Sequence, residues 1–94
     1  MGEVAATLVE DIDQTEVPGA IEYRLKYRSE EIAGIGFVCP CGCGREGWLP
    51  FRPEPSPSWE WNGNRDKPTL RPSVLQVGGC RWHGWLTDGV WRSC

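Results

Sequence analysis

The segment Cys39-Pro40-Cys41-Gly42-Cys43-Gly44, with Cys80-Arg81-Trp82-His83 further along, constrains this chain more than any other feature. Three thiols interleaved with proline and glycine demand a tight loop, not a helix or a strand. Thiolate and imidazole are the donors that tetrahedral zinc prefers, at about 2.3 and 2.0–2.1 Å. A domain of 94 residues buries only roughly 60–65% of its unfolded surface, so its core needs such a staple. The five cysteines are an odd count, so disulfides cannot use every thiol. The segment after Met1 carries Glu3 and Glu10 where a secretion leader is basic and then apolar. No apolar run approaches the roughly 18–20 residues of a membrane span. A cytoplasmic protein whose thiols serve a metal is therefore expected.

Candidate ligands outnumber coordination positions. Cys39, Cys41, Cys43, Cys80 and His83 make five, and Cys94 is a sixth, weakened by its place at a fraying end. Two assignments are open. Two of the loop cysteines join Cys80 and His83, or all three join Cys80 and leave His83 free. The first uses the CxxH spacing as a unit and bends the Cys39–Cys43 loop less, so it carries less expected strain. Zinc is the expected ion, with an iron–sulfur cluster as the alternative.

Gly 12 and Pro 8 together are about a fifth of the residues, which favours short strands and turns. Residues 1–17 hold Glu3, Glu10, Asp11, Asp13 and Glu16 without sustained periodicity, and read as an acidic mobile arm or a poorly packed first strand. Residues 18–94 read as one metal-stapled β domain. After the Pro18-Gly19 turn, Ile21, Tyr23, Leu25 and Tyr27 alternate with charged residues, the pattern of a half-buried strand. Ile35–Val38 delivers Cys39, and Trp48–Phe51 leaves the cysteine loop. Pro53, Pro55 and Pro57 make an extended connector. Trp59–Trp61 and Thr69–Val77 read as further strands. Asp88-Gly89, between Trp85-Leu86-Thr87 and Val90-Trp91-Arg92, is a type I′ hairpin turn. The fold class is all-β, with small antiparallel sheets and two facing metal-binding loops.

Cys80-Arg81-Trp82-His83-Gly84-Trp85 followed by Asp88-Gly89 resembles the second ligand loop of Rieske domains, and Cys41-Gly42-Cys43 stands where those domains have CxH. The resemblance implies a Rieske-like or zinc-ribbon-like frame. The replacement of one histidine by cysteine favours a single zinc over the two-iron cluster, and a Rieske-like electron carrier is the third functional reading. The string CPCGCG, then a tryptophan segment, then Pro68-Thr69-Leu70-Arg71-Pro72-Ser73, then Gly79-Cys80-x-x-His83 is similar over most of 37–94 to a family of short bacterial and phage proteins. Some members sit in bacterial operons that conjugate ubiquitin-like proteins, and are thought to be peptidases in phage defence. That resemblance implies a peptidase acting on a ubiquitin-like partner.

A serine peptidase needs a hydroxyl, a base about 3 Å away and an oxyanion hole. Ser73 is the hydroxyl that the motif favours, His83 is the only histidine, and Asp88 is a candidate to orient it, although Asp-Gly is first a turn. His83 serves as base only if cysteines alone hold the metal. Arg71, Gly78 and Gly79 are candidates for the oxyanion, and Arg71 and Trp82 for substrate contact. A metallohydrolase with Glu46 as base is a weaker catalytic option, because cysteine-rich sites are usually closed. The alternative of another class is a non-catalytic zinc module that binds a protein partner through its tryptophans and prolines. Most of the six tryptophans are expected in the core. The net charge of −3 gives no footprint for nucleic acid, and Arg65, Lys67 and Arg71 form only a small basic patch.

Overall fold

A computed structural model describes residues 3–55, 57–76 and 80–93. The strands are β1 (Glu3–Ala5), β2 (Ile21–Leu25), β3 (Ile32–Val38), β4 (Glu46–Pro50), β5 (Glu60–Trp61), β6 (Leu70–Arg71), β7 (Val74–Leu75), β8 (His83–Thr87) and β9 (Val90–Ser93). A single 3₁₀ turn at Ile12–Gln14 is the only helical element among the described residues. Every strand ladder is antiparallel. The sheets run β1-β9-β8-β7, β2-β3-β4 and β5-β6. The fold is all-β, as the turn-rich composition and alternating segments require.

Period-two patterning explains which faces meet. Ile21, Ile35, Phe37 and Leu49 from the three-stranded sheet pack against Val74, Leu86 and Trp91 from the four-stranded one. Trp91 is fully buried, its ring centroid 5.0 Å from that of Phe37, and its indole N–H donates to the Gly19 carbonyl at 2.9 Å. The Asp88-Gly89 turn has φ of 49° and 75°, both left-handed, as a type I′ hairpin requires. Gly84 is obligatory for a different reason. A Cβ there would strike the Arg92 carbonyl oxygen and come within 2.6 Å of the Trp82 ring.

Of the two readings of residues 1–17, a first strand is found at Glu3–Ala5, and two expectations about later elements change. The 3–17 segment packs onto the domain: Glu3–Ala5 pairs with β9, Leu8 bridges Ile21, and Ile12 is buried. Its backbone finds partners through the Ile12 N–H, which donates to Glu22 Oε1 at 3.1 Å. The alternating run from Ile21 stops at Leu25, because Tyr27 and Arg28 turn the chain. The run from Thr69 splits into β6 and β7, since Pro72 has no N–H to continue a ladder. Val77 lies outside the described residues.

Candidate active site and the adjoining thiol cluster

The loop from Cys39 to Arg45 joins β3 to β4 and is closed by the Cys39 N–H donating to the Arg45 carbonyl at 2.8 Å. Within it the Gly42 N–H donates to the Cys39 carbonyl, and Gly42 and Gly44 take φ of 93° and 86°. Those left-handed steps, open to glycine without steric cost, curl the loop so that its three thiols converge, Cys39 buried and Cys41 and Cys43 at the surface. Cys80 arrives from the segment before β8. The four sulfurs of Cys39, Cys41, Cys43 and Cys80 lie within 4.8 Å of one another. Individual separations are 3.4 Å for Cys39–Cys41, 3.3 Å for Cys39–Cys80 and 3.6 Å for Cys43–Cys80. A disulfide needs about 2.05 Å, so these are free thiols.

The set fits a tetrahedral ion. Four sulfurs at about 2.3 Å from one centre lie about 3.8 Å apart, close to the spacing found here. Backbone amides complete the surroundings. N–H groups of Cys41, Cys43 and Trp82 lie against the sulfurs of Cys39, Cys41 and Cys80 and favour their thiolate forms. Burial pushes the Cys39 thiol up, and donation to Cys80 raises Cys41. Cys80 receives that donation, from Cys41 above all, and is lowered to about 7. The four thiols thus come together without His83, so the loop meets the expected strain through its glycines. Cys94 lies outside the described residues.

His83 points elsewhere. Its Nε2 is 3.0 Å from Ser73 Oγ. The register of β7 against β8 explains the meeting. Val74 pairs with Gly84 and Leu75 with His83, and the Gln76 N–H donates to the Trp82 carbonyl at 2.7 Å. Bonded and non-bonded pairs alternate in an antiparallel ladder, so Leu75 and His83 form the closer, non-bonded kind. Continued one residue before β7, the same register would set Ser73 opposite Trp85 and make Ser73 and His83 diagonal neighbours on one face. Val74, Gln76, Gly84 and Leu86 point to the core, while Leu75, His83 and Trp85 face outward. A diagonal is within reach of a long side chain, and the imidazole spans it.

Trp59 fixes the serine from behind. Its indole N–H donates to the Ser73 carbonyl at 3.2 Å. Its own backbone is bonded on both sides: its N–H donates to the Pro50 carbonyl, and its carbonyl accepts from the Arg52 N–H. Sequence reasoning did not single out Trp59, Leu75 or Trp85 for the site. The period-two pattern of β8 was the available signal for Trp85, which shares a face with His83.

The remaining candidates are placed as follows. Asp88 does not orient His83. It lies at the far end of β8, five residues and roughly 16 Å along an extended strand. Its backbone N–H donates to Thr69 Oγ1 at 2.9 Å, which ties the hairpin turn to the body. Among the described residues Ser73 is the only side chain bonded to the imidazole. Arg71 is exposed on β6 opposite Glu60, and Gly78 and Gly79 lie outside the described residues. Trp82 is half-buried and stacks edge-on to Trp91, its indole N–H bonded to Ser93 Oγ, so it belongs to the packing. Glu46 faces Asp13, whose carboxyl raises its pKa through a hydrogen bond, and it is no base for the thiol cluster. Arg65 lies over the Tyr23 ring, 5.3 Å from its centroid. Trp48 and Trp85 are exposed, contrary to a core role for those two.

Residues 8–94 match the model of the family described as bacterial ubiquitination-like system serine protease, BubE. The chain belongs to that family. Membership agrees with the resemblance drawn from the CPCGCG and Pro-Thr-Leu-x-Pro-Ser strings, and the family's description names the nucleophile class that the Ser73–His83 pair offers. No curated protein and no solved structure matches the chain significantly. Among the described residues no helix is long and apolar enough to cross a membrane.

Proposed function

We propose that this chain is a serine peptidase that cleaves a peptide bond of a ubiquitin-like protein, with Ser73 as nucleophile and His83 as general base. The carrying observation is the 3.0 Å contact between Ser73 Oγ and His83 Nε2, made by an imidazole that stands apart from the thiol cluster. With Nε2 unprotonated, the hydroxyl donates to it. As Oγ attacks the scissile carbonyl carbon, its proton passes to Nε2 and the carbonyl π pair moves to oxygen. The imidazolium then protonates the departing amine while the C–N bond breaks, leaving an acyl ester on Ser73. Water, deprotonated by the same nitrogen, releases the acyl group as a carboxylic acid and restores the serine.

The four thiolates suit a structural zinc. When bound, it supplies a cross-link between the β3–β4 loop and the start of β8, not a reacting group. Four thiolates differ from the two cysteines and two histidines of a Rieske cluster, which argues against a Rieske-like electron carrier. Cys80 precedes His83 by three residues, so the cross-link also steadies the strand that presents the base.

The test is cleavage of a ubiquitin-like protein carrying a C-terminal extension. Wild type should release the extension, while Ser73→Ala and His83→Ala should abolish release and keep about one zinc per chain. Release by Ser73→Ala, or loss of zinc from His83→Ala, would contradict the proposal.

A further inference from the structure

We propose that Leu75 and Trp85 determine specificity, holding an apolar side chain of the substrate within a residue or so of the scissile bond. This rests on the peptidase reading above. Leu75, His83 and Trp85 lie on the outer face of β7 and β8, and Ser73, the residue just before β7, adjoins them through its contact with His83. The hydroxyl and imidazole take one diagonal, bonded to each other. The leucine and the tryptophan take the other, and they are 56% and 44% exposed.

The fold does not explain these two side chains. Their neighbours in sequence, Val74, Gly84 and Leu86, are the residues that turn inward to the core. The core clusters and the partly buried residues packed on them include neither Leu75 nor Trp85. Diagonal neighbours stand roughly 7–8 Å apart, and this diagonal crosses the Ser73–His83 one, so a side chain seated between the leucine and the tryptophan lies directly over the hydroxyl–imidazole pair. The patch has a polar border on one side. Arg92 is the cross-strand neighbour of Trp85 and is paired with Glu3. The occupant is therefore an extended polypeptide segment that presents one aliphatic or aromatic side chain next to the bond to be cut. Seating a leucine-sized group there should change kcat/KM by about 10- to 100-fold, carried by KM.

The experiment crosses enzyme variants with substrate variants. Leu75→Ser and Trp85→Ser are assayed on the extended ubiquitin-like protein. They are assayed again on versions whose residues flanking the cleaved bond are changed one at a time to serine. One apolar flanking residue should matter to wild type by about 10- to 100-fold and hardly at all to the two variants, a non-additive cycle. The losses should appear in KM and leave kcat nearly unchanged. Additive losses, losses in kcat alone, or indifference of wild type to every flanking residue would overturn the assignment and leave the peptidase standing. Absence of any cleavage by wild type would instead refute the peptidase reading itself.

Discussion

Replacing Trp59 by phenylalanine isolates the strut behind the nucleophile. The change removes the indole N–H that holds the Ser73 carbonyl at 3.2 Å and keeps most of the ring. A hydrogen bond of this kind contributes a net ~0.5–1.5 kcal/mol, and a half-buried carbonyl left unpaired adds to the loss. The variant should therefore be destabilised by about 1–2 kcal/mol, or roughly 4–8 °C in Tm for each kcal/mol. Trp61→Phe is the matched control, because the buried Trp61 indole N–H has no partner of good geometry among the described residues. It loses ring area and no well-aligned hydrogen bond, only the poorly aligned contact of the indole N–H with the Tyr23 hydroxyl. The two variants should diverge in catalysis. A displacement of about 1 Å at a reacting group costs on the order of 100-fold, so Trp59→Phe should lower kcat by about 10- to 100-fold with KM nearly unchanged. Urea denaturation and cleavage of the extended ubiquitin-like protein give both numbers. If Trp59→Phe keeps the kcat of Trp61→Phe, the indole does not position Ser73 and the reasoning fails.

The thiol cluster, the hairpin turn and one tyrosine give further tests. Because metal binding is folding energy in small stapled domains, Cys80→Ser or a strong chelator should abolish cooperative thermal melting, and a wild-type melting curve would refute that role. Asp88→Asn should cleave like wild type, since Asn tolerates the left-handed φ of 49° and the residue is remote from His83; a loss of about 1,000-fold or more would restore a triad. Tyr23 is pushed up to about 12 by burial, and its hydroxyl donates to the Arg65 carbonyl at 2.9 Å. A raised folded-state pKa favours the neutral phenol, so this contribution to stability is complete below pH 10 and declines as pH rises from about 10 to 12. Tyrosinate absorbance, compared between wild type and Tyr23→Phe, should show the Tyr23 phenol titrating near pH 12 together with falling stability over that window; titration of Tyr23 near pH 10 would contradict it.

Local rules carried far in this chain. The Asp88-Gly89 turn and the strand that delivers Cys39 follow from residue chemistry within a few positions, whereas the Thr69–Val77 run reads as continuous strand and conceals the break that Pro72 makes. The identity of the four clustered sulfurs does not follow from local rules. The strain expected in a loop with thiols at alternate positions ignored the left-handed φ that Gly42 and Gly44 supply together. The pairing of His83 with Ser73 comes from the motif resemblance and not from local rules, because its geometry depends on the register of β7 against β8, a property of two segments and the turn between them. A shift of one residue would send Ser73 to the core face. The acidic segment holds one burial that its composition does not signal. Ile12 is an isolated apolar residue among carboxylates, and its burial depends on packing from distant strands. Tryptophan count alone could not separate Trp91 in the core from Trp85 on the surface; the alternation along β8 and β9 does.

Labelling with a fluorophosphonate, which reacts with activated serines, tests the dyad most directly. Peptide mapping by mass spectrometry should place one adduct on Ser73 in wild type and little or none in His83→Ala at the same exposure. A wild-type protein unlabelled at Ser73, or His83→Ala labelled there as fast as wild type, would contradict the assignment of nucleophile and base.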